Sequence, residues 1–184
     1  MTNLTQIDKS WTLFLDRDGV INYEKKNEYV LNWEDFVFMP GVKEALQILN
    51  SAFAVIVIVT NQKCIGKKLL TTEELKNIHQ QMLNEIEKAG GRIDRIYFCP
   101  DLEDSSQNRK PNHGMALQAK NDFPQIDLTK SIMVGNKLSD MEFARNAGIT
   151  SVFAATTNPD TAFPHSLIDI RVNNLLEFAS LIKP

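Results

Sequence analysis

Cysteine is scarce: Cys64 and Cys99 are the only two in 184 residues. Nothing in their placement suggests a disulfide framework. Long apolar runs are missing as well. The longest, Ala52 to Val59, falls far short of the roughly 20 residues that span a bilayer. The first ten residues, Met1 to Ser10, are polar and lack the apolar centre of a secretory leader. No basic stripe stands out, and the net charge is −3, which argues against a general nucleic-acid binder. Internal repeats and low-complexity tails are absent too. The sequence therefore predicts a cytoplasmic protein with no membrane and no nucleic-acid partner, built as a single domain over residues 1–184 and acting as a monomer. Hydrophobic residues make up 43% and charged residues 23%, an ordinary globular balance. A chain of this length buries roughly 70% of its unfolded surface and needs no staples.

Five short apolar runs are present. Trp11 to Leu15 ends at Asp16, and Ala54 to Val59 ends at Thr60-Asn61-Gln62. Arg95 to Phe98 is weaker. Ser131 to Val134 ends at Gly135-Asn136, and Thr150 to Ala154 is the fifth. Near-continuous apolar runs indicate strands covered on both faces, as in a parallel sheet. Helical patterns lie between them: Val42 to Asn50, Thr71 to about Ala89, His113 to Asn121, Leu138 to Ala147 and Asn173 to Ile182. Thr71 with Glu74 has the spacing of a capping box. This alternation predicts a doubly wound α/β parallel sheet. Val20 to Met39 has no clear period and Pro100 to Lys110 is polar. Both follow strand ends, where an open α/β sheet places its ligand-contacting loops.

Chemistry-bearing residues recur at these strand ends: Asp16 and Asp18, Thr60 and Asn61, Arg109 and Lys110, Asn136 and Asp140. Parallel strands present their C-termini along one edge, so these groups are expected in one cleft. Carboxylates, a hydroxyl, amides and two cations suit a divalent metal, which takes oxygen ligands, and a phosphoryl group, which needs donors and cations around its oxygens. His79, His113 and His165 show no ligand spacing.

The segment Leu13-Phe-Leu-Asp-Arg-Asp-Gly-Val-Ile-Asn22 resembles the first motif of haloacid dehalogenase-type phosphatases. Thr60 matches the second motif, Lys110 the third, and Gly135-Asn136 with Asp140 the fourth. The strings DRDGVIN, VTNQ, RKPNHGM and MVGNKLSDM narrow the resemblance to the subgroup of D-glycero-D-manno-heptose 1,7-bisphosphate and histidinol-phosphate phosphatases, over roughly residues 11 to 155. The resemblance implies a Rossmann-like core with short loop insertions, no large cap domain, and Mg²⁺-dependent hydrolysis of a small phosphorylated metabolite. Asp16 would be the nucleophile and form an aspartyl-phosphate, and Asp18 the general acid and base. Thr60 and the Asn61 backbone would hold phosphoryl oxygens. Lys110 would offset their charge, and Arg109 would grip a substrate phosphate or hydroxyl by its fork. Asp16, the Asp18 carbonyl and Asn136 would hold Mg²⁺, with Asp140 orienting Lys110 or a metal-bound water.

The chain departs from the family pattern twice. The family's Gly-Asp step is Gly135-Asn136 here, which removes one anionic metal ligand. On charge alone, Asn136→Asp should tighten Mg²⁺ roughly tenfold. Second, many members carry a Cys-x-His and a Cys-x-Cys pair just before the Arg-Lys step. Here only Cys99 remains, with Asp101, Ser106 and Asn108 at the other positions. One thiolate and one carboxylate do not build a closed tetrahedral site, so no zinc is expected. Heptose 1,7-bisphosphate is the preferred substrate by resemblance, histidinol phosphate the alternative, and a phosphate-binding member with impaired catalysis a further one. A receiver-type phosphoacceptor is disfavoured, because both aspartates share the first strand end and no acceptor aspartate lies between them and Thr60.

Overall fold

The computed structural model describes residues 4–26 and 28–182. Met1, Thr2 and Asn3 lie outside the described residues, so the leader reading is only partly covered. In chain order the elements are β1 (Thr12–Leu15), α1 (Val42–Ala52), β2 (Val55–Asn61), α2 (Lys63–Gly66), α3 (Thr72–Lys88), β3 (Arg95–Cys99), α4 (Gly114–Asp122), β4 (Ser131–Gly135), α5 (Leu138–Ala147), β5 (Thr150–Ala154), β6 (Ile170–Val172) and α6 (Leu175–Leu181). The six strands form one all-parallel sheet in the order β3-β2-β1-β4-β5-β6. No helix among the described residues is long and apolar enough to cross a membrane.

Alternation along each strand divides the core in two. Leu13, Leu15, Ile56, Ile58, Ile132 and Val134 face α1, α3 and α6. Phe14, Val57, Val59 and Met133 face α4 and α5, where Phe143 meets Phe14 edge-on at 6.5 Å between centroids. Both faces are thus dry, the physical reason the strands read as unbroken apolar runs. Thr71 accepts from the Glu74 amide while the Glu74 carboxylate takes the Thr71 amide, so the expected capping box opens α3.

Two elements escape a sequence reading. α2 is a single turn, and β6 has three residues, one of them Arg171; neither is long enough to establish a period. The last helix starts two residues later than its apolar pattern, because the Asn174 side chain accepts from the Glu177 amide and caps it.

The strand order fixes where a ligand goes. The chain winds outward from β1 through β2 to β3, then returns to the other side of β1 for β4, β5 and β6. The crevice outside the carboxyl ends of β1 and β4 is the topological switch point, the usual ligand site of such sheets. The aperiodic segment after β1 packs over this edge. Its Trp33 stacks on Phe36 at 5.1 Å, and Phe38 meets Phe36 at 5.1 Å edge-on.

Candidate active site

Asp16 follows β1 directly, and its amide donates to Val134 O of β4 at 2.9 Å. The side chain is therefore held across the switch point. Its Oδ1 lies 2.8 Å from Lys110 Nζ, and the same ammonium lies 2.6 Å from Asp140 Oδ1. All three side chains are buried. Burial works against the charge of Lys110, but Asp140 and Asp16 more than offset it, and its pKa sits above the ordinary lysine value. Burial pushes Asp16 up to about 7; Lys110 opposes this, while Asp140 and Asp18 add to it.

Asp140 is fixed from a second side. From the first turn of α5, its Oδ2 accepts from the amides of Asn136, at 3.1 Å, and Lys137, at 3.0 Å, which lie just before the helix. A carboxylate there also answers the partial positive charge of the helix start. Gly135 is required by this approach, since a Cβ on it would stand 2.3 Å from Asp140 Cβ.

The Asp18 carboxylate is turned toward Arg17, Asn22 and Gln62. It accepts from Arg17 Nη2 at 2.8 and 3.1 Å, from Asn22 Nδ2 at 3.0 Å and from Gln62 Nε2 at 2.9 Å. Burial disfavours its charge, but Arg17, Asn22 and Gln62 together hold its pKa below the ordinary aspartate value. Gln62 Nε2 also reaches Thr60 Oγ1 at 2.9 Å, so one amide ties Asp18 to Thr60. The Asn61 side chain exchanges two bonds of 3.0 Å with the Lys110 main chain. Contact of Asn61 with a phosphoryl group therefore falls to its backbone. Arg109 is buried in the wall of the cleft, donating from Nε to Asp104 at 2.9 Å and from Nη1 to Asp101 O at 3.3 Å.

These residues share one cleft of about 620 Å³, whose walls include Asp16, Asp18, Thr60, Asn61, Arg109, Lys110 and Asp140. Asn136 lies fully buried beside it. Its Nδ2 contacts Thr157 Oγ1 and Glu24 Oε2, and its Oδ1 is buried with no partner among the described residues. Gly19, at φ +89, must lack a side chain because a Cβ there would lie 2.1 Å from Asn136 Nδ2.

Sequence reasoning passed over Arg17, Gln62, Glu24 and Lys137, all of which line the cleft. Arg17, Gln62 and Lys137 sit inside the quoted motifs, so adjacency was the available signal. Glu24 carried none, since its pairing with Lys137 joins residues 113 apart. His79 contacts the site through Arg17, with Nη1 and Nε2 3.1 Å apart.

Three carboxylates, the buried Asp16 and Asp140 and the partly exposed Asp18, face two buried cations, Lys110 and Arg17. With all three ionised the cluster carries one unbalanced negative charge, and it adjoins a carbonyl oxygen on Asn136 that has no partner among the described residues. No group of three or more His, Cys, Asp or Glu residues set to hold a metal occurs among the described residues. The oxygens available are the Asp16 carboxylate, the Asp18 main-chain carbonyl and Asn136 Oδ1. An all-oxygen set with one surplus negative charge fits a hard divalent cation.

Fold and site together define a haloacid dehalogenase-type phosphatase. The chain belongs to the polynucleotide kinase 3 phosphatase family of that class, whose sequence model matches residues 12–158. It is 35% identical over 170 residues to the D-glycero-alpha-D-manno-heptose-1,7-bisphosphate 7-phosphatase of Mycobacterium tuberculosis, covering 92% of this chain and 90% of that one. It is 36% identical over 180 residues to the D-glycero-beta-D-manno-heptose-1,7-bisphosphate 7-phosphatase of Yersinia pestis, covering 93% and 94%. Among solved structures it is similar to the D,D-heptose 1,7-bisphosphate phosphatase of B. bronchiseptica complexed with magnesium and phosphate. The TM-score is 0.84 at 27% identity, covering 92% of this chain and 96% of that one.

Proposed function

We propose that this phosphatase is Mg²⁺-dependent and removes one phosphate from a heptose 1,7-bisphosphate, as a cytoplasmic monomer built as one domain. The observation that carries the reading is Lys110 Nζ seated between Asp16 and Asp140 at the sheet's switch point. That arrangement holds the Asp16 carboxylate in place and puts a fixed cation where phosphoryl charge would arrive. Relatives named for this reaction cover nine-tenths or more of the chain. A bound Mg²⁺ would draw the phosphoryl oxygens toward Asp16 and lower the repulsion between the two anions.

In this reading Asp16 attacks phosphorus in line and the bond from phosphorus to the sugar oxygen breaks. The departing oxygen takes its proton from Asp18. Water then attacks the aspartyl-phosphate, Asp18 takes the water proton back, and inorganic phosphate leaves. Thr60 and the Asn61 backbone would hold the equatorial oxygens, while Arg109 would meet the distal phosphate. Asp18 can give a proton only after its carboxylate has released Arg17 and taken one up from solvent.

The test is phosphate release with Mg²⁺ from a panel holding both heptose bisphosphate anomers and histidinol phosphate. The two curated relatives differ in anomer at nearly equal identity, so the panel must decide it. One equivalent of phosphate from a heptose bisphosphate is expected, with Asp16→Asn inactive and folded. Faster release from histidinol phosphate would move the substrate there. No release from any member would leave a phosphate-binding protein with impaired catalysis.

A further inference from the structure

We infer that Glu24 sets the direction of the Asn136 amide, so that these two residues form a matched pair holding an uncharged oxygen toward the metal position. The inference rests on the Mg²⁺ reading above.

An amide side chain can present either of two atoms to a neighbour, and its neighbours decide which. Glu24 Oε2 lies 3.2 Å from the Asn136 amide. An ionised carboxylate only accepts, so the atom facing it must be Nδ2. The other oxygen of Glu24, Oε1, pairs with Lys137 Nζ. Thr157 Oγ1 takes the second Nδ2 hydrogen. With both hydrogens committed, Oδ1 is turned away from Glu24, and there it is buried without a partner among the described residues. A buried carbonyl oxygen left unpaired is costly, and an oxygen-seeking cation would satisfy it.

The charge missing from position 136 is therefore not simply lost. A carboxylate from the loop after β1 stands one bond behind the ligand, in the position of an outer partner that orients a ligand. An aspartate at 136 would instead set two carboxylates against each other at about this distance, with Lys137 to share. The gain that charge counting assigns to Asn136→Asp should then appear only once Glu24 is neutral.

Calorimetric Mg²⁺ titration of wild type, E24Q, N136D and E24Q/N136D, without substrate, decides the matter, with thermal melts in chelator alongside. E24Q should bind Mg²⁺ roughly tenfold more weakly, because a glutamine can face either amide atom. N136D should gain nothing and should melt lower in chelator. E24Q/N136D should recover at least wild-type affinity and the wild-type melting temperature. Equal tightening by N136D in the wild-type and E24Q backgrounds would overturn the pairing while leaving the Mg²⁺ reading intact. Absence of Mg²⁺ binding by the wild-type protein would overturn both.

Discussion

Arg17 grips both carboxylate oxygens of its neighbour Asp18, with Nη2 2.8 Å from Oδ1 and 3.1 Å from Oδ2. The guanidinium is almost wholly buried, at 1% exposure, and it meets His79 on its far side. Asp18 is thereby held as an anion turned to accept. The proposed acid step needs the opposite state, so a substrate must draw the carboxyl away from Arg17.

Arg17→Gln should expose that competition. Removing one partner of a buried pair costs about 3 kcal/mol of stability, the lower end for such pairs because Asp18 keeps some solvent. With Arg17 gone, Asp18 retains its proton to higher pH. The alkaline fall of kcat should move upward in a pH–rate profile with Mg²⁺. An unmoved profile would remove Arg17 from the acid–base step.

His79 should make stability depend on pH. Burial first, and the Arg17 charge second, push its pKa down to about 3, with Asp18 opposing. The unfolded side chain titrates near ~6.5. Below that value the unfolded chain binds a proton that the native protein refuses, so this contribution to stability is lost as pH falls from about 6.5 toward 3. His79→Gln keeps an acceptor for Arg17 and should flatten the curve between about pH 6.5 and 5. His79→Leu should also cost about 1–3 kcal/mol at pH 7, because Arg17 Nη1 loses its partner. Urea melts across this range provide the comparison; parallel curves for wild type and the Gln variant would rule out a neutral buried His79.

Asp140 should act through Lys110. Asp140→Ala frees the ammonium and also strips an acceptor from two amides at the start of α5. A loss of roughly 10²-fold in kcat, with KM changed little, is the expected size for displacing one fixed charge at the reacting group. Lys110→Met should lose more. Because the two act as a unit, the double variant should be no slower than Lys110→Met alone. Multiplicative losses would mean that Asp140 has a separate role.

The loop after β3 should hold its shape without zinc. Cys99 Sγ lies 3.6 Å from Asp101 Oδ2 and 3.8 Å from Ser106 Oγ, and Ser106 donates a short bond to Asp101. Three of the four positions compared with the family's zinc ligands thus meet through hydrogen bonds. Elemental analysis of protein purified without added metal should find no stoichiometric zinc. Ser106→Ala should raise hydrogen exchange in residues 100–110, because the Asp101 carboxylate loses its donor across the loop. One zinc per chain would overturn the first expectation, and unchanged exchange the second.

The sequence by itself determined five of the sheet's six strands and the principal groups at their edge. Strand runs such as Val55–Val59 and Ile132–Val134 declare themselves because burial on both faces leaves no polar position in them. Asp16, Thr60 and Asn136 fall at the ends of those runs, and parallel strands bring their ends together. What local pattern cannot carry is the direction of a polar side chain, which depends on neighbours supplied by the fold. The partner of Asn136 is Glu24, 112 residues away, and the partner of Asp16 is Lys110, 94 residues away. Asp18 could be read as an acid from its spacing, yet its hold on Arg17 depends on a guanidinium buried against His79 of α3. Asn136 could be read as a lost charge, yet packing sets a carboxylate behind it. Only the tertiary structure decided these, because hydrogen bonds are directional and each donor or acceptor is committed by the group that packing places within reach of it.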